Sequence, residues 1–131
     1  MSKTIFITGA SSGIGYEVSK EFSRKGWNVI AAARRFSKLK KLSKFSRIRN
    51  SYGKIIPLKL DITDFLLTKK NILNLIKDHG IPDIIFLNAG TNHPNKKNIF
   101  SLNETKSIFK INFFGTINCI EAFLPHIKKG K

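Results

Sequence analysis

The 131-residue chain has a single cysteine, Cys119, so it can form neither an internal disulfide framework nor a cysteine-based zinc site, and a reducing compartment is the simple expectation. Acid is scarce as well. Eight Asp and Glu stand against twenty-four Lys and Arg, a formal charge of +16. No long apolar run is present: Ile5–Ile7 is far too short for a signal-peptide core, and Ile111–Ile127 is broken by Asn112, Asn118, Glu121 and Pro125 before it could span a membrane. The histidines His79, His93 and His126 have no ligand spacing, and no internal repeat, low-complexity segment or linker divides the chain. The expectation is a cytoplasmic protein with no membrane partner, no metal and one domain over residues 1–131.

With 41% hydrophobic and 24% charged residues, the composition fits a domain that encloses one core. The basic excess would suit an anionic partner. However, nineteen Lys against five Arg, beside nineteen Ile, eleven Asn and eleven Phe, mark a drift in residue usage rather than a surface built for bidentate phosphate recognition. An acid-free stretch from Phe22 to Leu60 holds twelve of the twenty-four cations, read mostly as a solvated helix face. Arg35 and Lys38 there could steer an anion inward. No aromatic interleaving marks base stacking, and no specific nucleic-acid partner is expected.

Short β-branched runs alternate with stretches of helical period, the pattern of βαβ units on a parallel sheet. The runs Ile5–Ile7, Val29–Ala32, Ile55–Leu60 and Ile84–Leu87 are continuous rather than alternating, as in strands covered on both faces. Ile14, Val18 and Phe22 predict an apolar stripe on a first helix ending before Gly26. Leu39, Leu42, Phe45 and Ile48 predict a second. A third helix is expected after Thr63 as N-cap, with Phe65, Ile72 and Ile76 inward and a stop at Gly80 before Pro82. The fourth runs from about Glu104 toward Pro125, after a polar loop at Thr91–Asn98. Pro57 cannot donate to a ladder and belongs on an edge, which the order 3-2-1-4 supplies.

Thr8-Gly9-Ala10-Ser11-Ser12-Gly13-Ile14-Gly15 lies between the first strand and the first helix. Glycines allow a sharp turn and close approach of a diphosphate, whose charge the free amides of a helix N-terminus stabilise. The spacing is neither G-x-G-x-x-G nor a Walker A loop, which excludes a P-loop nucleotidase. Further on come Ala33-Arg34-Arg35, Asp61-Ile62-Thr63, Asn88-Ala89-Gly90 and Lys110-Ile111-Asn112.

In that order and at those intervals, the five motifs resemble a short-chain dehydrogenase/reductase over essentially the whole chain. The resemblance implies an α/β fold with a Rossmann-type, doubly wound parallel sheet, incomplete here: four strands and four helices, with later strands absent. It implies that Gly9, Ser11, Ser12, Gly13, Ile14 and Gly15 form a pyrophosphate loop. Asp61 and Ile62 would hold the adenine, and Asn88, Ala89 and Gly90 would line the cofactor. Arg34 stands where an acid would select NAD(H); as a base it favours NADP(H), a phosphate about 4 Å away being attracted by roughly 4 kcal/mol per unit charge at an effective dielectric near 20.

Of the family's catalytic Ser, Tyr-x-x-x-Lys and Asn, only Asn112 is present. Tyr16-Glu-Val-Ser-Lys20 matches Y-x-x-x-K but sits in the first helix, at the wrong end of the cofactor. The resemblance therefore implies a chain truncated before the fifth strand: the NADP(H)-binding portion of an oxidoreductase acting on a small carbonyl or alcohol, inactive as given and poorly stable. It also implies a homo-oligomer through the fourth helix. The alternatives are a basic non-catalytic module that binds nucleic acid, or half of a split enzyme completed by another chain.

Overall fold

The computed structural model describes residues 2–91 and 99–128, so most of the expected Thr91–Asn98 loop lies outside the described residues. The chain runs β1 (Thr4–Thr8), α1 (Gly13–Arg24), β2 (Asn28–Ala33), α2 (Phe36–Ser43), β3 (Ile55–Lys59), α3 (Phe65–His79), β4 (Ile84–Phe86), α4 (Leu102–Phe109) and α5 (Thr116–Phe123). All pairings are parallel, in the order β3-β2-β1-β4. Pro57 sits opposite Ala31 on the edge strand β3, where its missing N–H costs no ladder bond.

Alternate residues of each strand feed two cores, which is why the strand sequences are apolar without interruption. Phe6, Ile30 and Ala32 face Ile72, Leu75, Cys119 and Phe123 of α3 and α5. Ile5, Ile7, Val29 and Ala31 face Leu39 and Leu42 of α2, with Val18 and Phe22 of α1 packed on them. Phe6 and Phe123 meet edge to face with centroids 5.0 Å apart, anchoring α5 to the middle of the sheet.

Four expectations are corrected. Ile14 is 68% exposed, because the buried line of α1 is Gly15, Ser19 and Ser23. These small residues let the helix approach closely, and the hydroxyls are satisfied: Ser19 donates to the Gly15 carbonyl and Ser23 to the Gly53 carbonyl, each at 2.7 Å. Ile48 is 66% exposed, since α2 ends at Ser43 and a 3₁₀ turn over Lys44–Arg47 rotates the following residues off the stripe. The cap of α3 is Asp64, not Thr63, its Oδ1 accepting from the Leu67 amide at 3.0 Å. The fourth helix is not uniform: α4 starts at Leu102, and a π-helical segment over Lys110–Gly115 joins it to α5. Gly80 ends α3 as expected, at φ 78°.

Among the described residues no helix is long and apolar enough to cross a membrane.

Candidate functional site at the carboxyl end of the sheet

Parallel pairing brings the carboxyl ends of all four strands to one side. There Thr8–Gly13, Ala32–Arg35, Leu60–Thr63 and Asn88–Thr91 surround a cleft of about 380 Å³, with Ile111 from the π segment on one wall. Most of the sequence-predicted site residues meet there: Gly9, Ser11, Ser12, Gly13, Ile14, Arg34, Asp61, Ile62, Asn88, Ala89 and Gly90. The exposed Ile14 is part of this lining, which accounts for its place outside the core.

Two predicted residues lie outside the lining. Gly15 is buried behind it, where an added Cβ would stand 2.5 Å from the Gly9 carbonyl oxygen. Asn112 reaches the wall from behind, bonded to the main chain of Thr91, and its own carbonyl accepts from the Thr116 hydroxyl at 3.0 Å. Tyr16 and Lys20 are also absent from the lining; Lys20 lies over the Tyr16 ring and against Glu17 on the outer part of α1.

The floor is held by Thr8. Its hydroxyl accepts from the amides of Asn88 and Ala89, each at 3.0 Å, and the Asn88 side chain donates to the Thr8 carbonyl at 3.3 Å. This draws the loop after β4 so close to Gly9 that a Cβ there would meet the Ala89 Cα at 2.8 Å. Gly9 and Gly13 both have positive φ, 66° and 58°, so the turn needs residues free of the Cβ penalty. Ser12, the residue before α1, makes no side-chain cap, which leaves the first amides of a 12-residue helix directed at the cleft without a capping hydroxyl.

On the β2 and β3 side the site carries charge. Arg34 and Arg35 are both exposed, and Arg35 donates to the Ser11 hydroxyl at 3.4 Å, bridging the end of β2 to the glycine loop. Partial burial works to raise the pKa of Asp61, but it is outweighed by bonds from the Thr63 hydroxyl at 2.7 Å and amide at 3.0 Å, helped by Arg34 and Lys110, and the carboxyl ends below its ordinary value. It is thus a permanent acceptor at neutral pH.

Sequence reasoning missed Thr8, Thr63 and Thr91 as site-building residues. A threonine directly after an apolar strand is a usable signal for the first, since its hydroxyl can bond the neighbouring strand end.

The family model for short chain dehydrogenases matches residues 3–131. An uncharacterized oxidoreductase of Listeria innocua is 38% identical over 95% of this chain and 49% of its own length. The NADPH-dependent 1-acyldihydroxyacetone phosphate reductase of Saccharomyces cerevisiae is 34% identical over 98% of this chain and 43% of its own. In structure, the alcohol dehydrogenase of the archaeon Thermococcus sibiricus superposes with a TM-score of 0.85 at 23% identity, over 96% of this chain and 53% of that one. The chain spans about half the length of the curated relatives it matches. The fold, the ordered motifs and the family match together establish that the chain belongs to the short-chain dehydrogenase/reductase family.

Proposed function

We propose that this chain is the cofactor-binding portion of a short-chain oxidoreductase and takes NADP(H) in preference to NAD(H). The observation that carries the reading is the placement of an uncapped helix N-terminus behind Gly9 and Gly13, with Arg34 and Arg35 at the adjacent strand end. A dinucleotide fits these donors. The α1 amides, with Ser11 and Ser12, would hold the diphosphate. Arg34 and Arg35 would pair with a 2′-phosphate, and the ionised Asp61 with the Ile62 backbone would hold the adenine. Asn88, Ala89 and Gly90 would line the cofactor along β4. When bound, the nicotinamide supplies a hydride donor or acceptor for a small carbonyl or alcohol. A relative whose name records NADPH dependence supports the cofactor choice.

Asn112 acts here as a positioning residue, because its side chain is committed to Thr91 rather than to the cleft. Among the described residues no Tyr-x-x-x-Lys pair stands at the cleft, and on this reading these residues bind and orient the cofactor without turning over substrate. It belongs in the cytoplasm, and a second copy packs on the exposed ridge of Phe109, Phe113, Phe114, Ile117, Ile120 and Leu124.

Titration of reduced-cofactor fluorescence is the test. NADPH is expected to bind more tightly than NADH, and Arg34→Asp to reverse the order. An unchanged preference in that variant would overturn the role of Arg34, and no binding of either cofactor would overturn the reading.

A further inference from the structure

A second concavity lies away from the cleft, on the outer side of α2 and along β3. It encloses about 1090 Å³ and is lined by Lys40, Lys41, Lys44, Arg47, Arg49 and Lys54, all exposed, with no acid among its lining residues. Among the described residues the three ion pairs all lie on α1 and its C-cap Lys25, so none of these six cations has a carboxylate partner there. Lys40, Lys44 and Arg47 stand at i, i+4 and i+7 along α2 and the 3₁₀ turn, a row of charge about 12 Å long by helical rise.

The groove also holds one aromatic side chain, which the sequence pattern conceals. Tyr52 lines it half-buried, and its ring stacks on Phe45 with centroids 5.4 Å apart and planes 28° from parallel. Phe45 is in turn fixed by Arg24 and Lys20, 4.9 and 5.2 Å from its centroid. Tyr52 is therefore a braced ring beside a row of cations, the pairing of stacking platform and electrostatic track that single strands use.

We propose that this groove binds a single-stranded polynucleotide through its phosphate backbone, without sequence preference, independently of the dinucleotide cleft. Pro57, on the exposed edge of β3, removes an N–H that an acidic peptide would need to pair as an added strand. β3 also lies at the opposite edge of the sheet from β4, where Ile81, Ile85, Ile127 and Lys128 line a separate cavity.

The test is fluorescence polarisation of a labelled oligo(dT) with the 131-residue chain across a salt series. Binding should weaken with salt at a log–log slope of about −2 to −4, for three to six phosphates neutralised. The triple variant Lys40→Ala/Lys44→Ala/Arg47→Ala should lose about tenfold or more in affinity and flatten the slope by about 2. Tyr52→Leu should weaken binding with the slope unchanged. NADPH titration should be unaltered in both variants, which separates this site from the cleft and shows that both remain folded. A triple variant that binds like the parent overturns the proposal, as does a slope near zero. Equal or tighter competition by polyglutamate or by phosphatidylserine vesicles overturns it in favour of an acidic protein or a membrane.

Discussion

Asn112 grips the main chain of Thr91 at both of its polar groups: its Oδ1 accepts from the Thr91 amide at 2.6 Å and its Nδ2 donates to the Thr91 carbonyl at 2.9 Å. The side chain behaves like a short length of neighbouring strand, added just where β4 has ended. π-helical turns recur at functional sites, and this one places Asn112 beside the loop that walls the cleft.

Replacing Asn112 by Ala should therefore loosen the wall rather than remove a chemical group. Two hydrogen bonds of about 0.5–1.5 kcal/mol each would go, discounted for their exposure to a total near 1 kcal/mol. Hydrogen exchange at the Thr91 amide should accelerate, and the urea midpoint should fall slightly. Asn112→Asp retains only the acceptor and should protect that amide while losing the carbonyl contact. Equal protection in the Ala variant would show that the loop holds itself.

The glycines of the loop divide into two kinds of requirement, which separates folding from binding. A methyl at Gly15 would collide with the Gly9 carbonyl and the Asn88 side chain, so Gly15→Ala should cost about 2 kcal/mol or more in urea unfolding. At Gly13 nothing lies within 4 Å of an added Cβ, and only its φ of 58° is unfavourable. Asp tolerates that region better than most residues. Gly13→Asp should thus leave stability within about 1 kcal/mol of the parent while its carboxylate opposes a bound diphosphate. The expected outcome is a normal melt with NADPH binding abolished; retained binding would remove the diphosphate from this loop.

Much of this was legible because parallel strands covered on both faces must be apolar throughout. Ile5–Ile7 and Val29–Ala32 could hardly be anything else, and Pro57 fixed the edge. The misreadings share a cause. Hydrophobicity at helical spacing singles out Ile14, Val18 and Phe22, whereas the closest contact of α1 is made by Gly15, Ser19 and Ser23, whose value is small size. Asp64 was hidden as a cap by the adjacent Thr63, which had an equally suitable hydroxyl but was already bonded to Asp61. Tyr52 and Phe45, seven residues apart, form a stack only because a turn separates them.

Asp61 should impose a specific acid limit. Its folded pKa lies below the ordinary carboxyl value of 3.8, so its ionised form stabilises the fold at any pH above that value, and the contribution is lost as pH falls through the folded value. Asp61→Asn keeps an acceptor for Thr63 but loses the charge facing Arg34 and Lys110. The parent should exceed this variant in urea midpoint at neutral pH, and the difference should shrink as acidification carries the carboxyl through its lowered folded value. A difference that grew on acidification would reverse the assigned sign.

Cys119 should set the corresponding limit at high pH. It lies in the core shared by α3, α5 and the sheet, fully buried, and burial pushes its thiol up from 9.0 to about 12. The thiolate is the reactive form, so in the folded chain the group should be inert to a disulfide reagent at pH 8 and release one equivalent only when urea opens the core. A folded pKa raised above the unfolded one stabilises fully below pH 9 and is lost as pH rises toward 12. In that window the parent should lose stability with a slope of up to about 1.4 kcal/mol per pH unit beyond that of Cys119→Ala. The variant, less stable at neutral pH because of its small cavity, should therefore close the gap as alkalinity increases. Parallel curves for the two proteins would mean that the thiol reaches solvent in the native state.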